Sequence, residues 1–230
     1  MHIEIAGESA VIIYFAEDIS PAAAAQVSAA FNLLQESGSD FITDLIPSYT
    51  TLLVAYDPIK MNSLELTIFL RQVLSVEPVP TEPATEQSAL EIPVFYGEEV
   101  GIDLAEVSKQ TGLGIEAIIA SHVSTKYRVY AIGFAPGFAY LGLTEPGLKV
   151  SRRKTPRLRV PRGSVALADN QTAIYPSVSP GGWQVIGRTP MELVDWRRSP
   201  ISPFTVGGLV RFRAIERDEY LGLGGVLDGI

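Results

Sequence analysis

The chain has 230 residues, 47% hydrophobic and 19% charged, with a formal net charge of −8. That composition suits one large or two small packed domains. No apolar run reaches the length of a bilayer span, and the acidic balance speaks against nucleic acid or an anionic membrane as partner. Cysteine is absent, which excludes disulfides, thiolate catalysis and cysteine metal sites. The acidic start MHIEIAGES lacks the basic region of a signal peptide, so a cytoplasmic protein is expected.

Residues 2–6 alternate around Ile3 and Ile5 and residues 10–15 read AVIIYF, two strands separated by a Gly7-Glu8-Ser9 turn. Ser20-Pro21 opens an alanine-rich helix over 22–35, with Ser20 as cap and Gly38 as stop. Residues 41–47 and 49–56 are two further strands. Asn62-Ser63 caps a helix to about residue 75, with Leu66, Phe69, Leu70 and Val73 on one face. The order predicts an α+β lobe with helices on one side of an antiparallel sheet. PVPTEPATEQS, residues 78–88, has no apolar pattern and marks a boundary. The expected organisation is a lobe at 1–80, a linker at 81–89 and a second domain at 90–230.

In the second domain, residues 90–96 are a strand that Pro93 places near an edge or bulge. Asp103 is expected to cap a short helix to about Lys109, and residues 115–121 form another. Short β-prone pieces follow at 127–132, 164–167, 172–175, 184–186, 192–194 and 208–214, with Gly and Pro between them. That spacing favours a β-barrel or sandwich. The glycine-rich tail LGLGGVLDGI is expected to be loosely held.

Charge is unevenly spread. Residues 1–125 carry 3 basic side chains against 18 acidic ones, and residues 126–230 carry 15 against 8. Lys149, Arg152, Arg153, Lys154, Arg157, Arg159 and Arg162 make seven of the 18 Lys+Arg, with no acid between Gly147 and Ala168. This run suits a phosphorylated or carboxylated ligand, an acidic partner or the chain's own acidic half. His122 has the residue type of an acid/base group, though an ordinary partly buried histidine fits as well. With only His2 beside it, no histidine metal site is expected. GFAPGFAYLG, residues 133–142, lacks the Lys-Ser/Thr of a phosphate loop and reads as a loop whose Phe134, Phe138 and Tyr140 wall a pocket or a buried cluster. Gln171, Tyr175, Gln184 and Arg188 cluster around SPGGW, where the glycine pair leaves room for a ligand beside Trp183.

These motifs together resemble the carboxyltransferase C/D domain family. The resemblance rests on GFAPGFAYLG, on Thr155-Pro156-Arg157, Val160-Pro161 and Gly163-Ser164-Val165-Ala166, on QTAIYP and on SPGGWQVIGRTP. Asp169-Asn170 stands where that family usually has a Gly pair. The family includes 5-oxoprolinase B subunits, allophanate-hydrolase-type carboxyltransferases and an inhibitor of a sporulation sensor kinase. The resemblance implies a ferredoxin-like α+β lobe followed by a cyclophilin-like β-barrel. It also implies ATP-dependent opening of the lactam 5-oxo-L-proline to L-glutamate in complex with the A and C subunits of the same enzyme. ATP and its Mg would bind in the assembled complex, with no metal site in this chain. The expected catalytic residues are His122, Lys154 and Arg188. Phe134, Arg157, Gln171, Tyr175 and Gln184 would bind substrate. The alternatives are an inhibitor that binds a sensor histidine kinase and a carboxyltransferase-like subunit acting on a urea derivative.

Overall fold

The structure, a computed structural model, describes residues 1–75 and 89–227. Internal packing divides the chain into two compact units, Met1–Pro83 and Ala84–Ile230. The linker expected at 81–89 lies, apart from residue 89, outside the described residues.

The first unit runs β1 (His2–Ile5), β2 (Ala10–Tyr14), α1 (Pro21–Glu36), β3 (Ile42–Ser48), β4 (Thr51–Tyr56) and α2 (Ser63–Val73). The strands pair antiparallel in the order β1-β2-β4-β3. The chain order ββαββα is a cyclic shift of the βαββαβ order of ferredoxin-like folds. Alternation sends Val11, Ile13, Leu52 and Val54 to one face, where Ala30 and Leu34 of α1 and Leu66 and Leu70 of α2 cover them. Both helices start on the caps that their sequences specify. Ser20 Oγ accepts from the Ala23 N–H at 3.1 Å, and Asn62 with Glu65 forms a capping box.

The second unit runs β5 (Leu90–Val94), α3 (Leu104–Thr111), α4 (Ile115–Ser124), β6 (Lys126–Ile132), β7 (Ala139–Gly142), β8 (Arg157–Val160), β9 (Ser164–Ala168), β10 (Gln171–Ile174), β11 (Ser179–Gly181), β12 (Gln184–Arg188), β13 (Leu209–Ala214) and α5 (Arg217–Gly222). Its sheet follows the path β5-β13-β6-β7-β10-β9-β12, antiparallel except where β5 lies parallel to β13. β8 and β11 form a separate two-stranded ribbon.

The expected closed barrel is corrected here. The two end strands do not share a ladder, and they meet at a single antiparallel bridge, Phe95 with Arg188. Two backbone bonds of 2.9 and 2.8 Å make that junction. Other expectations also shift. Residues 192–194 form no strand, because the buried Leu193 anchors an irregular loop. Residues 139–142, read as loop, are β7. The basic run contributes β8. The tail is not loose throughout, since the Val226 carbonyl is tied to Arg188 and Tyr220.

Both faces of the sheet are covered. One face carries Val129, Leu141, Val165, Leu167, Ile174, Ile186 and Phe212, packed with Leu104, Val107 and Ile118 from α3 and α4. The other carries Ala166, Ala168, Ala173 and Val185 under Phe138, Val160, Tyr175 and Trp183. The β9–β10 turn places Asp169 at φ 54, a left-handed conformation that Asp tolerates better than most side chains.

Gly187 sits where β12 meets β5. A Cβ there would lie 2.8 Å from the Phe95 carbonyl oxygen and 2.8 Å from a Val94 methyl. Gly187→Ala is therefore expected to cost about 1–3 kcal/mol by overpacking. A urea titration would read this as a lower midpoint at unchanged slope. An unchanged midpoint would contradict so tight a junction.

Candidate functional site

The site is assembled around a carboxylate that its own helix does not use. Asp103 precedes α3 yet makes no side-chain cap to it. Its Oδ1 instead accepts from Arg153 Nη1 at 3.0 Å and Arg157 Nη2 at 2.8 Å. Its Oδ2 accepts from Arg157 Nη1 at 2.8 Å and the Val185 N–H at 2.7 Å. The Asp103 side chain is 3% exposed. A buried carboxylate is tolerated when its lone pairs are filled by charged donors, and the two-pronged Arg157 contact does that. The basic segment is thereby drawn onto the sheet's outer face. The Arg153 N–H adds a 2.7 Å bond to the Gly182 carbonyl, which joins the basic segment to the PGGW turn.

Several predicted residues meet on this face. Phe138 is the hub of an aromatic cluster, with Phe134, Tyr175, Tyr140 and Trp183 all within 4.9–6.0 Å between ring centroids. Phe134 is 64% exposed and held at φ 74, an uncommon conformation for a bulky residue. Gln171, Ala173 and Tyr175 share the β10 face by alternation. Burial raises the Tyr175 phenol pKa, while the Trp183 backbone N–H donates to it. The Arg152 guanidinium stands 5.7 Å from the Trp183 ring centre. Lys154 and Arg159 are exposed, and no ion pair engages either among the described residues. Arg157 is occupied by Asp103 and so contributes by holding the segment.

Three predicted residues are buried rather than exposed on this surface. His122 is wholly buried in the sheet core rather than at a groove edge. Its ring stacks on Phe212 at 4.4 Å. Tyr96 Oη is 2.7 Å from Nδ1, Thr172 Oγ1 is 2.9 Å from Nε2, and Thr172 in turn bonds the Ala166 carbonyl at 3.1 Å. These contacts form one chain if Tyr96 donates to Nδ1, Nε2–H donates to Thr172, and Thr172 donates to Ala166. That is a neutral imidazole with both nitrogens satisfied. Burial lowers its pKa to about 3. An acid/base role at neutral pH is replaced by a structural one. Gln184 is buried, with Nε2 donating to the Ser151 carbonyl at 3.0 Å. Arg188 is 1% exposed and donates to the Val226 carbonyl at 3.0 Å.

A cleft of about 460 Å³, lined by Gln110, Lys149, Val150, Ser151 and Asp169, opens nearby. It touches the aromatic surface through Asp169, whose carboxylate lies 3.7 Å from Arg152 Nε. Sequence reasoning missed Asp103 as an acceptor, because its partners are 50–82 residues away. It also missed Tyr96 as the partner of His122. A clue to Asp103 was present, since a basic run with no internal acid needs its counter-charge from elsewhere.

The two-faced sheet with its arginine-bearing ribbon is a fold shared with solved proteins. The urea carboxylase of Kluyveromyces lactis shares the fold, with a TM-score of 0.73 at 15% identity over 96% of this chain and 22% of that one. The family model for the carboxyltransferase domain, subdomains C and D, matches residues 1–204, and the chain belongs to that family. It is 34% identical over 226 residues to the B subunit of 5-oxoprolinase from Bacillus subtilis (strain 168), covering 95% of this chain and 94% of the relative. The crystal structure of TTHA0988 matches with a TM-score of 0.78 and 36% identity over 90% of this chain. This chain spans 40% of that longer one.

His122 makes a sign-definite prediction. Its pKa is about 3 folded and about 6.5 unfolded. Below about pH 6.5 the unfolded chain therefore binds a proton that the folded chain does not, and stability falls with pH, by up to about 1.4 kcal/mol per unit. Urea midpoints compared between pH 7 and 5 should fall less steeply in His122→Gln than in the parent chain. Equal slopes would show that His122 takes up its proton without unfolding.

Proposed function

We propose that this chain is the B subunit of a heteromeric, ATP-dependent 5-oxoprolinase that opens 5-oxo-L-proline to L-glutamate in the cytoplasm with the A and C subunits. The observation that carries this reading is the 34% identity to a 5-oxoprolinase B subunit over nearly the full length of both chains. The aromatic and basic outer face supplies matching chemistry. A lactam ring is small and flat, and Phe134, Tyr140 and Trp183 offer walls for it. Activation of the amide places negative charge on its oxygen, and Lys154, Arg152 and Arg159 offer cations near that position. Gln171 has the amide group to orient the ring. Arg157 and Asp103 keep this segment in place, and His122 braces the sheet beneath it.

ATP and Mg are proposed to bind in the assembled complex.

Leu158 and Val178 are 86% and 51% exposed. This favours a second reading in which the ribbon is a docking surface for a sensor histidine kinase.

The test is co-expression with the A and C subunits and measurement of 5-oxoproline-dependent ADP release. We expect turnover only in the complex, and a loss of about 10²-fold or more in Lys154→Ala if its charge faces the developing oxyanion. A complex that forms but turns over nothing contradicts the substrate. No complex, together with binding to a kinase dimerisation domain, makes the second reading correct.

A further inference from the structure

The cleft beside Val150 is lined by two side chains of opposite charge that do not pair with each other. Lys149 precedes Val150 in the chain. Asp169 meets Val150 across an isolated antiparallel bridge, closed by backbone bonds of 3.1 and 2.6 Å. Both side chains are exposed. Lys149 forms no ion pair among the described residues. Asp169 has one, with Arg152 Nε at 3.7 Å, and both of those side chains are more than half exposed. That contact is too long for a hydrogen bond, and an exposed pair of this kind is weak. The cleft therefore holds a cation and an anion apart, with a weak partner for one and none for the other.

The wall between them is fixed. The Ser151 N–H donates to Gln110 Oε1 at 2.9 Å, and Gln110 Nε2 donates to Glu106 Oε1 at 2.9 Å. The Ser151 carbonyl accepts from Gln184 Nε2 at 3.0 Å. α3 and β12 thus hold the strand-like segment that carries Lys149. Gln184 is 2% exposed, and its Oε1 has no hydrogen-bond partner among the described residues. An unused buried acceptor accordingly lies one amide group away from the cleft wall. The volume of about 460 Å³ falls within the range of small-molecule sites, about 300–1,000 Å³.

Separated charges of opposite sign select a ligand that carries both. Opening a lactam creates such a ligand. Water adds across the ring C–N bond, the carbonyl carbon becomes a carboxylate, and the freed nitrogen is protonated at neutral pH. 5-Oxo-L-proline and L-glutamate then have the same carbon skeleton and the same net charge, but only L-glutamate carries an ammonium. We propose that the cleft of Lys149, Ser151 and Asp169 is a product site, which takes an α-amino acid as its zwitterion and discriminates against the lactam. Lys149 pairs with the α-carboxylate and Asp169 with the ammonium. The proposal rests on the 5-oxoprolinase reading for its choice of amino acid, but its test does not use turnover.

The test is an amide chemical-shift titration of the full chain with L-glutamate and, separately, with 5-oxo-L-proline. L-Glutamate should shift the amides of residues 149–151 and 169–170 in a saturable way. It should bind roughly fivefold more tightly than 5-oxo-L-proline, the worth of one exposed ion pair. Asp169→Asn removes the anion while keeping a residue that tolerates φ 54, and it should abolish the preference. Lys149→Met should weaken both ligands by about fivefold and leave the preference in place. Titrations that do not saturate, shifts confined to other residues, equal affinities for the two ligands, or a preference that survives Asp169→Asn each overturn the proposal. L-Glutamate binding with the expected preference, in a chain whose assembled complex opens no lactam, leaves the cleft standing as an amino-acid site and removes the 5-oxoprolinase reading. Lactam turnover in the complex without that binding does the reverse.

Discussion

The second unit depends on the carboxylate of Asp103. It gathers two arginines and a strand N–H from three separate parts of the chain. Without it, a run of seven cations with no internal acid would repel itself away from the sheet. With it, two of the seven are paired to one carboxylate and partly buried, and Arg157 is fixed by its two-pronged contact. Lys149, Arg152, Lys154, Arg159 and Arg162 stay exposed, and Arg152 stands 5.7 Å from the Trp183 ring centre. One buried acid turns a stretch of charge into a shaped surface.

The composition of the sheet makes that surface possible. Ala166, Ala168 and Ala173 are fully buried on the outer face. Small side chains there let the ribbon and the aromatic rings approach the strands closely. The opposite face is filled with large aliphatic and aromatic residues and carries the stability. His122 belongs to that inner face. Its hydrogen bonds run from Tyr96 through Thr172 to the Ala166 carbonyl on the neighbouring strand, so it braces the strands that present the outer surface. Arg188 adds the polar end of the same outer row, beneath the C-terminal segment.

How much of this could be read in the sequence follows from how local each signal is. Ser20-Pro21 and Asn62 with Glu65 are contained within a single helical turn, and both helices begin where they indicate. Strands of five residues or more, such as β2 and β4, announce themselves by alternation. β7, β8 and β11 have four, four and three residues, and tertiary pairing rather than propensity makes them strands. The single bridge between β5 and β12 was illegible for the same reason, since a barrel and a nearly joined sheet carry the same alternation. At the site, residue type pointed to an aromatic and basic surface, but it did not separate the partners within it. Arg157 and Lys154 look alike in sequence. Only the fold brings Asp103 to one and leaves the other exposed. His122 likewise has the residue type of a catalyst and the surroundings of a core residue.

The central claim is that Asp103 and Arg157 act as one unit that sets the basic segment on the sheet. A double-mutant cycle between Asp103→Asn and Arg157→Gln, read by urea denaturation, tests it most directly. A buried, two-pronged pair predicts a coupling energy of about 2–3 kcal/mol, within the range for contacting residues, with the double variant more stable than the sum of the single losses. Strictly additive losses would contradict the account, because the two side chains would then be independent and something else would hold the segment in place.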